Sequence, residues 1–374
     1  MLSTSNGATV ATILTVLAFN CAGAQEAGPM ARPIVGAIRW DAWHGDASNV
    51  GQVVEGTLGP KRYHHRLPFF AKVLSDSEVE VRGDTQAVMD REIEAAHKAG
   101  LDYWAFVTYP EEYAMSAGLK LYLSSACKQD IHFCLDLQGA WEGRGGLQTW
   151  PAKVERYIGY FTDPCYQTVL DGRPLVYLYS VNDLIGEGRF ADWDQARAAF
   201  DGLREAALKA GVPAPYFVVQ DWGADAAKQH MQRLGMDAIG AYALAGGGVK
   251  APYAELAAVV ESWWDQARDT GAPVVPLVMS GWDRRPRIER PHPWEPWQKP
   301  GVGMDRYYEA PTPAELAGHL QAAVRWNAAN AKAAEANAIL IYAWNENDEG
   351  GWLVPTLSEG SARLDALQQV LIRR

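Results

Sequence analysis

Eight short apolar runs alternate with eight longer segments of helical periodicity along this chain, and few folds accommodate that rhythm. The runs lie at 34–40, 101–108, 132–137, 174–179, 216–219, 237–241, 274–279 and 339–343. The helical segments lie near 85–99, 116–128, 151–161, 192–210, 224–234, 251–270, 313–334 and 360–372. A run that is apolar at nearly every position, rather than at every second one, belongs to a parallel strand covered on both faces. Several helical segments also carry stop signals: Lys98-Ala99-Gly100 and Lys209-Ala210-Gly211 place a cation and then a glycine at the end. Strand and helix repeated eight times spell a single (β/α)8 TIM barrel. A doubly wound open sheet would need a glycine-rich phosphate loop after its first strand, and Asp41-Ala42-Trp43-His44-Gly45 has the wrong glycine pattern.

Residues 1–24 stand apart from this pattern. They include no charged side chain, hold an apolar stretch from 9 to 19, and end in Cys21-Ala22-Gly23-Ala24, small residues where a signal peptidase reads. The expectation is a signal peptide over residues 1–24, leaving residues 25–374 as a secreted or periplasmic barrel that carries the catalytic site. Leu17-Ala18-Phe19-Asn20-Cys21 is a weaker match to a lipoprotein box, the alternative form of export. Barrels of this class often reach such a length as one domain. No later stretch is long and apolar enough for a membrane helix, so no stable membrane insertion is expected. A net charge of −11 argues against nucleic acid or an anionic membrane as partner. Cys127, Cys134 and Cys165 are too few and too irregularly spaced for a disulfide scaffold or a zinc site, and at most one bridge is expected. No motif in the chain requires a cofactor.

In a barrel of this kind the active site forms at the C-terminal ends of the strands, on the loops that follow them. Those positions hold Asp41, Trp43 and His44 after the first strand, Tyr109 after the second, and Asp136, Gln138 and Trp141 at the third. Asp221 and Trp222 follow the fifth, Tyr242 the sixth, and Trp282, Asp283 and Arg284 the seventh. Carboxylates, carboxamides and a guanidinium grip hydroxyl groups, while indole and phenol faces pack on the C–H faces of sugar rings. The chain holds 15 Trp and 16 Tyr, and much of the Trp falls near strand ends and loops, so an oligosaccharide or polysaccharide is the expected partner. At least two of Trp40, Trp43, Trp141, Trp222 and Trp282 are expected to line the cleft, although any single Trp reads more readily as core filler. Asp283-Arg284-Arg285-Pro286-Arg287 reads as a basic anion site or equally well as an Asp–Arg ion pair that shapes the cleft.

The eighth run opens into acid. Trp344-Asn345-Glu346-Asn347-Asp348-Glu349-Gly350 puts Glu346 and Glu349 three residues apart at a barrel strand end. If both face one pocket, repulsion and burial raise one pKa, leaving a proton donor beside a base. Cleavage of a glycosidic bond needs such a pair, roughly 5 to 9 Å apart. A solvated acidic loop is the plainer reading of the same composition. A divalent cation held by Glu346, Asp348 and Glu349 is a third reading, but the spacing matches no calcium loop and no metal site is expected. His64 and His65 are adjacent, so their side chains diverge and a shared metal is not expected there either.

Trp344-Asn345-Glu346 and Glu349-Gly350, followed by Trp352-Leu353-Val354-Pro355, resemble the closing motif Trp-Asn-Glu-x-x-Glu-Gly of the WbsX-like proteins and of glycoside hydrolase family 99, the endo-α-1,2-mannosidases. Residues 161–166 with Asp171-Gly172-Arg173-Pro174, residues 276–284 with Gly281-Trp282-Asp283, and residues 93–103 are similar to further stretches of that family. The resemblance runs from Pro33 to Pro355 and implies a (β/α)8 barrel that hydrolyses an α-linked glycan with overall retention. It also implies a route. The Glu matching Glu346 acts as base on the sugar's own 2-hydroxyl, which attacks the anomeric carbon to give a 1,2-anhydro sugar. The Glu matching Glu349 protonates the leaving oxygen and then activates water; Trp344 and Asn345 lie in the same motif and are taken as substrate-binding. Positions 347 and 348 depart from the hydrolase pattern, where an aromatic and a His or small residue are common. The expectation is therefore a secreted glycoside hydrolase acting on mannoside-like α-linked glycans. The alternative is a non-catalytic carbohydrate-binding barrel or a WbsX-type polysaccharide-assembly protein. Export favours the hydrolase, because activated nucleotide sugars are not expected outside the cytoplasm.

Overall fold

In the computed structural model, which describes residues 1–2, 32–44 and 49–372, all eight apolar runs are strands of one parallel sheet. They are β1 (Ile34–Arg39), β2 (Tyr103–Val107), β3 (His132–Gln138), β4 (Arg173–Tyr179), β5 (Tyr216–Gln220), β6 (Ala238–Gly240), β7 (Leu277–Met279) and β8 (Ala338–Tyr342). Their order is β7-β8-β1-β2-β3-β4-β5-β6. The ring closes where Ile239 of β6 meets the chain just ahead of β7: Ile239 N–H donates to Pro273 O, and Ile239 O accepts from Val275 N–H, each at 2.9 Å. This is the (β/α)8 barrel, and its compact unit spans Arg32–Arg374. Strand side chains are buried on both faces because helices cover the outside and large residues fill the inside. Inside the barrel, for example, the Tyr103 and Tyr177 hydroxyls meet at 2.7 Å.

The helices follow from local signals. Thr85 caps Gln86–Ala99 by accepting from Val88 N–H, and Gly100 ends it; Thr312 and Glu315 form a capping box on Pro313–Ala329, with Pro313 at the first helical position. The remaining outer helices are Ala117–Ser124, Gly146–Phe161, Trp193–Lys209, Ala224–Leu234, Tyr253–Asp269 and Ala362–Leu371. Gly146–Phe161 starts five residues before the expected 151, so Pro151 sits inside the helix rather than at its start. Two elements of the long segment after β1 have no counterpart in the sequence reading: the helix Asn49–Leu58 and the hairpin Ala71–Val73 with Val79–Val81. Asn49–Leu58 carries two glycines and three valines, poor helix formers that hide its periodicity. The signal-peptide expectation, and with it the boundary at 24, falls outside the described residues. Among the described residues no helix is long and apolar enough to cross a membrane, and Cys127, Cys134 and Cys165 are unbridged.

Candidate active site

The chain leaves β8 with its side chains already sorted. Trp344 N–H donates to Ile38 O at 2.7 Å and its indole N–H donates to Glu92 at 2.8 Å, so the ring packs against Trp104, away from the cleft. Asn345 ties the same point to β1, accepting from Trp40 N–H at 2.8 Å. Asn347–Glu349 then makes a single 3-10 turn. Residues three apart eclipse on such a turn, so Glu346, at its cap, and Glu349, at its end, come to one side. Gly350, at φ +88°, reverses the chain and lets Glu346 pair with Gly351. A Cβ on Gly350 would lie 2.5 Å from Asp283 N, and one on Gly281 would lie 2.1 Å from Gly350 O. The loops after β7 and β8 therefore pack backbone on backbone, an approach that only glycine permits. Asp283 N–H donates to Glu349 O at 2.6 Å across this contact.

Arg287, buried in the short helix Arg285–Glu289 of the β7 loop, is the electrostatic centre. Its Nη1 donates to Glu349 at 2.6 Å, its Nη2 to Glu346 at 3.1 Å and its Nε to Asp348 at 2.7 Å. Arg284 Nε stands 3.0 Å from the same Glu349 oxygen, and the Tyr342 hydroxyl donates to the other. The Tyr242 hydroxyl donates to Glu346 at 3.0 Å. Burial, with the negative charge of Glu349 added, pushes the Glu346 carboxyl well above its usual range. Burial pushes Asp348 up as well, but Arg287 and His292 outweigh it and hold that carboxyl below its usual range. The surroundings of Glu346 thus disfavour its charged form. The guanidinium fills the space between three carboxylates that a divalent ion would need. Among the described residues no group of three His, Cys, Asp or Glu is arranged to hold a metal. His64 and His65 each bond a separate loop carbonyl, Gly59 O at 2.7 Å and Arg62 O at 2.9 Å.

Two cavities meet at the pair. One, of about 400 Å³, is bordered by Glu346, Glu349, Trp40, Tyr109, Gln138, Trp141, Arg287 and Trp294. The other, of about 460 Å³, is bordered by Glu349, Asp183, Asp221, Trp222, Trp282, Arg284 and Trp297. Tyr179, Tyr242, Glu295 and Glu349 border both, so the cleft runs from one to the other past Glu349.

The structure thus brings Tyr109, Gln138, Trp141, Asp221, Trp222, Tyr242, Trp282 and Arg284 to the cleft with the two glutamates. It places the other candidates elsewhere. Asp41, Trp43 and His44 border a separate, narrow crevice, where Arg39 Nε holds Asp41 at 2.8 Å. Trp344 and Asn345 are buried behind the cleft, and Asp136 is wholly buried in the barrel. Asp283 braces the β7 loop: Arg66 and Arg285 both bind its carboxylate, and Arg285 N–H adds a bond at 3.1 Å. The ion-pair reading of that stretch is the one realised, with partners other than Arg284. Trp40, expected among the tryptophans of the cleft, and Arg287, noted only as part of a basic stretch, also border it, while Glu295, Tyr179, Trp294 and Trp297 are cleft residues that sequence reasoning missed. Tyr179 and Trp40 stand at strand ends, where the barrel rule points to them. Residues 290–302 carry no periodic signal at all.

No family model matches the chain, and no curated protein sequence does. Among solved structures, the glycoside hydrolase family 99 endo-α-mannosidase from Bacteroides thetaiotaomicron aligns with a TM-score of 0.57 and 16% identity, over 90% of this chain and 95% of that one. A structure of the Bacteroides thetaiotaomicron endo-α-mannosidase in complex with bis-tris propane aligns with a TM-score of 0.52 at the same identity and coverage. The likeness is one of fold, and the fold is that of the family which the Trp344 to Gly350 motif resembles.

Proposed function

We propose that this chain is a glycoside hydrolase that cleaves α-linked, mannoside-like glycans with Glu346 and Glu349. The observation that carries the reading is the pair itself: two glutamates on one guanidinium, at the C-terminal mouth of a barrel, in a cleft walled by indoles. Glu349 borders both cavities, so the scissile bond lies over it. The sugar that loses its leaving group sits beside Glu346, and the leaving group sits in the cavity of Trp222 and Trp282. Glu346 takes the 2-hydroxyl proton as that oxygen closes on the anomeric carbon, while Glu349 gives its proton to the departing oxygen. Water activated by Glu349 then opens the 1,2-anhydro ring, and Glu346 returns its proton to the 2-oxygen. Because burial disfavours the charged form of Glu346, this route requires the bound sugar to leave Glu346 ionised and the proton on Glu349. Arg287, bonded to both, stays paired with whichever glutamate is ionised.

The test is a screen of defined α-linked oligosaccharides, read by mass spectrometry, followed by two substitutions. Glu349→Gln lowers kcat/KM on saccharide substrates by about 10²- to 10⁴-fold, the size credited to general acid catalysis, and by less on aryl glycosides with good leaving groups. Glu346→Gln depresses both kinds alike, and 2-deoxy substrates are inert. If Glu346→Gln is instead the variant that spares aryl glycosides, the proton donor is Glu346 and the two roles exchange. A chain that binds glycans and cleaves none is the carbohydrate-binding alternative.

A further inference from the structure

Residues 290–302, between the short helix Arg285–Glu289 and the strap leading to Pro313–Ala329, form a proline-rich segment fastened over the cleft. Its middle is anchored by charge. Glu295 is buried and takes Arg284 Nη2 at 2.5 Å on both oxygens and Arg287 Nη1 at 3.4 Å, the guanidiniums that also bind Glu349. His292 is buried 3.4 Å from Asp348. The backbone is turned and tied as well: Glu295 N–H donates to His292 O, Gln298 N–H to Glu295 O and Gly301 N–H to Ile288 O, each at 2.9 Å.

On this fixed segment two indoles stand in water, Trp294 at 38% and Trp297 at 70% exposure. An anchored loop that holds large apolar faces outward at a cleft presents them to a ligand. They straddle Glu295. Trp294 borders the cavity of Glu346, and Trp297 borders the other, where Trp222 and Trp282 meet edge to face with centroids 6.2 Å apart. Asp183, Asp221 and Arg284 stand among those three indoles. A purely apolar ligand would leave these polar groups desolvated and unpaired, whereas a pyranose offers C–H faces to the indoles and hydroxyls to the charges.

We propose that residues 290–302 are a saccharide-binding flap whose Trp294 and Trp297 each stack on a sugar ring, one on either side of the bond that is cut. The proposal rests on the glycosidase reading and deepens it, because it makes the leaving group a sugar rather than a small alcohol.

Calorimetric binding of α-1,2-mannotetraose and the other α-linked oligosaccharides of the screen to the Glu349→Gln protein separates the two. Adding Trp297→Ala or Trp294→Ala weakens the tightest of them about 3- to 10-fold, the range of one stacked aromatic contact, and Trp297→Phe restores most of it. With Glu349 present, Trp297→Ala lowers kcat/KM on the oligosaccharide by a similar factor and lowers that on α-mannosyl fluoride less, since fluoride does not reach the flap. Trp294→Ala lowers both. Melting curves check that the variants are folded. Unchanged binding and turnover in Trp297→Ala overturns the flap and leaves the glycosidase standing. Equal loss on fluoride and oligosaccharide overturns the assignment of Trp297 to the leaving side. Binding that depends on Trp297, without any turnover by the parent, keeps the flap and removes the glycosidase. Failure of every oligosaccharide to bind overturns both.

Discussion

The ends of β1 and β8 both carry buried charge and indoles at the mouth of the barrel, yet only the charges of the second open on the cleft. At the end of β1, Arg39 donates to Asp41 at 2.8 Å and to Glu92 at 2.7 Å, while Glu92 also takes the Trp344 indole and Asp41 the Asn345 carboxamide. At the end of β8, Arg284 and Arg287 serve Glu295, Glu346, Asp348 and Glu349. Burial raises the carboxyls of Asp41, Glu92 and Glu346 alike, so perturbed titration does not separate the clusters. Room does. The crevice by Asp41 holds about 10 Å³, the space of about one water, against about 400 Å³ beside Glu346. A buried ion network becomes a candidate site only where one of its members faces a space the size of a substrate.

The comparison breaks most visibly at Arg287. Arg287→Met leaves three buried carboxyls without their shared cation, which costs about 3–5 kcal/mol, and cleavage of oligosaccharides falls at least as far as in Glu349→Gln. Denaturant titration and the oligosaccharide assay read the two effects, and retained turnover in Arg287→Met makes the clamp mere filler. The closed cluster behaves otherwise. Glu92→Gln costs stability toward the low end of the same range, about 3 kcal/mol, because Arg39 keeps Asp41. Its kcat on oligosaccharide stays within a few-fold of the parent. A folded Glu92→Gln protein that lost activity a hundredfold would erase the distinction drawn between β1 and β8.

What could be read from sequence was what is local. The strands were legible because a parallel strand buried on both faces is apolar throughout, and the helices because Thr85, Thr312 and Gly100 mark their ends. Glu346 and Glu349 were legible because one 3-10 turn brings them together. The pairing of Arg287 with them was not, since its bond to Glu346 joins residues 59 apart, and the Arg66 partner of Asp283 lies 217 residues away. Nor does a strand-end position reveal which way a side chain turns: Trp344 and Glu346 are two residues apart, yet the turn after β8 sends one behind the cleft and the other into it. The flap carries no period because its order comes from ion pairs and turns rather than from a helix or strand.

Asp136 sharpens the comparison at its smallest scale, as a carboxyl with neither a cation nor a cavity. It sits on β3, wholly buried, and burial pushes its pKa well above the usual range, with Gln220 offsetting only part of that. The folded pKa therefore lies above the unfolded value of about 3.9. The sign follows: the favourable contribution of the neutral acid is full below the unfolded pKa and is lost as pH rises through the folded one, since the folded protein must then ionise a group it has desolvated. Asp136→Asn keeps the shape and removes the titration. Its stability relative to the parent should change little below pH 4 and then gain about 1.4 kcal/mol for each unit until the folded pKa is passed. Urea unfolding of both proteins at pH 5 and pH 6 reads that increment. A gap that stays flat with pH means that Asp136 is ionised in the fold, and it would then need a cationic partner like those of Asp41 and Asp348.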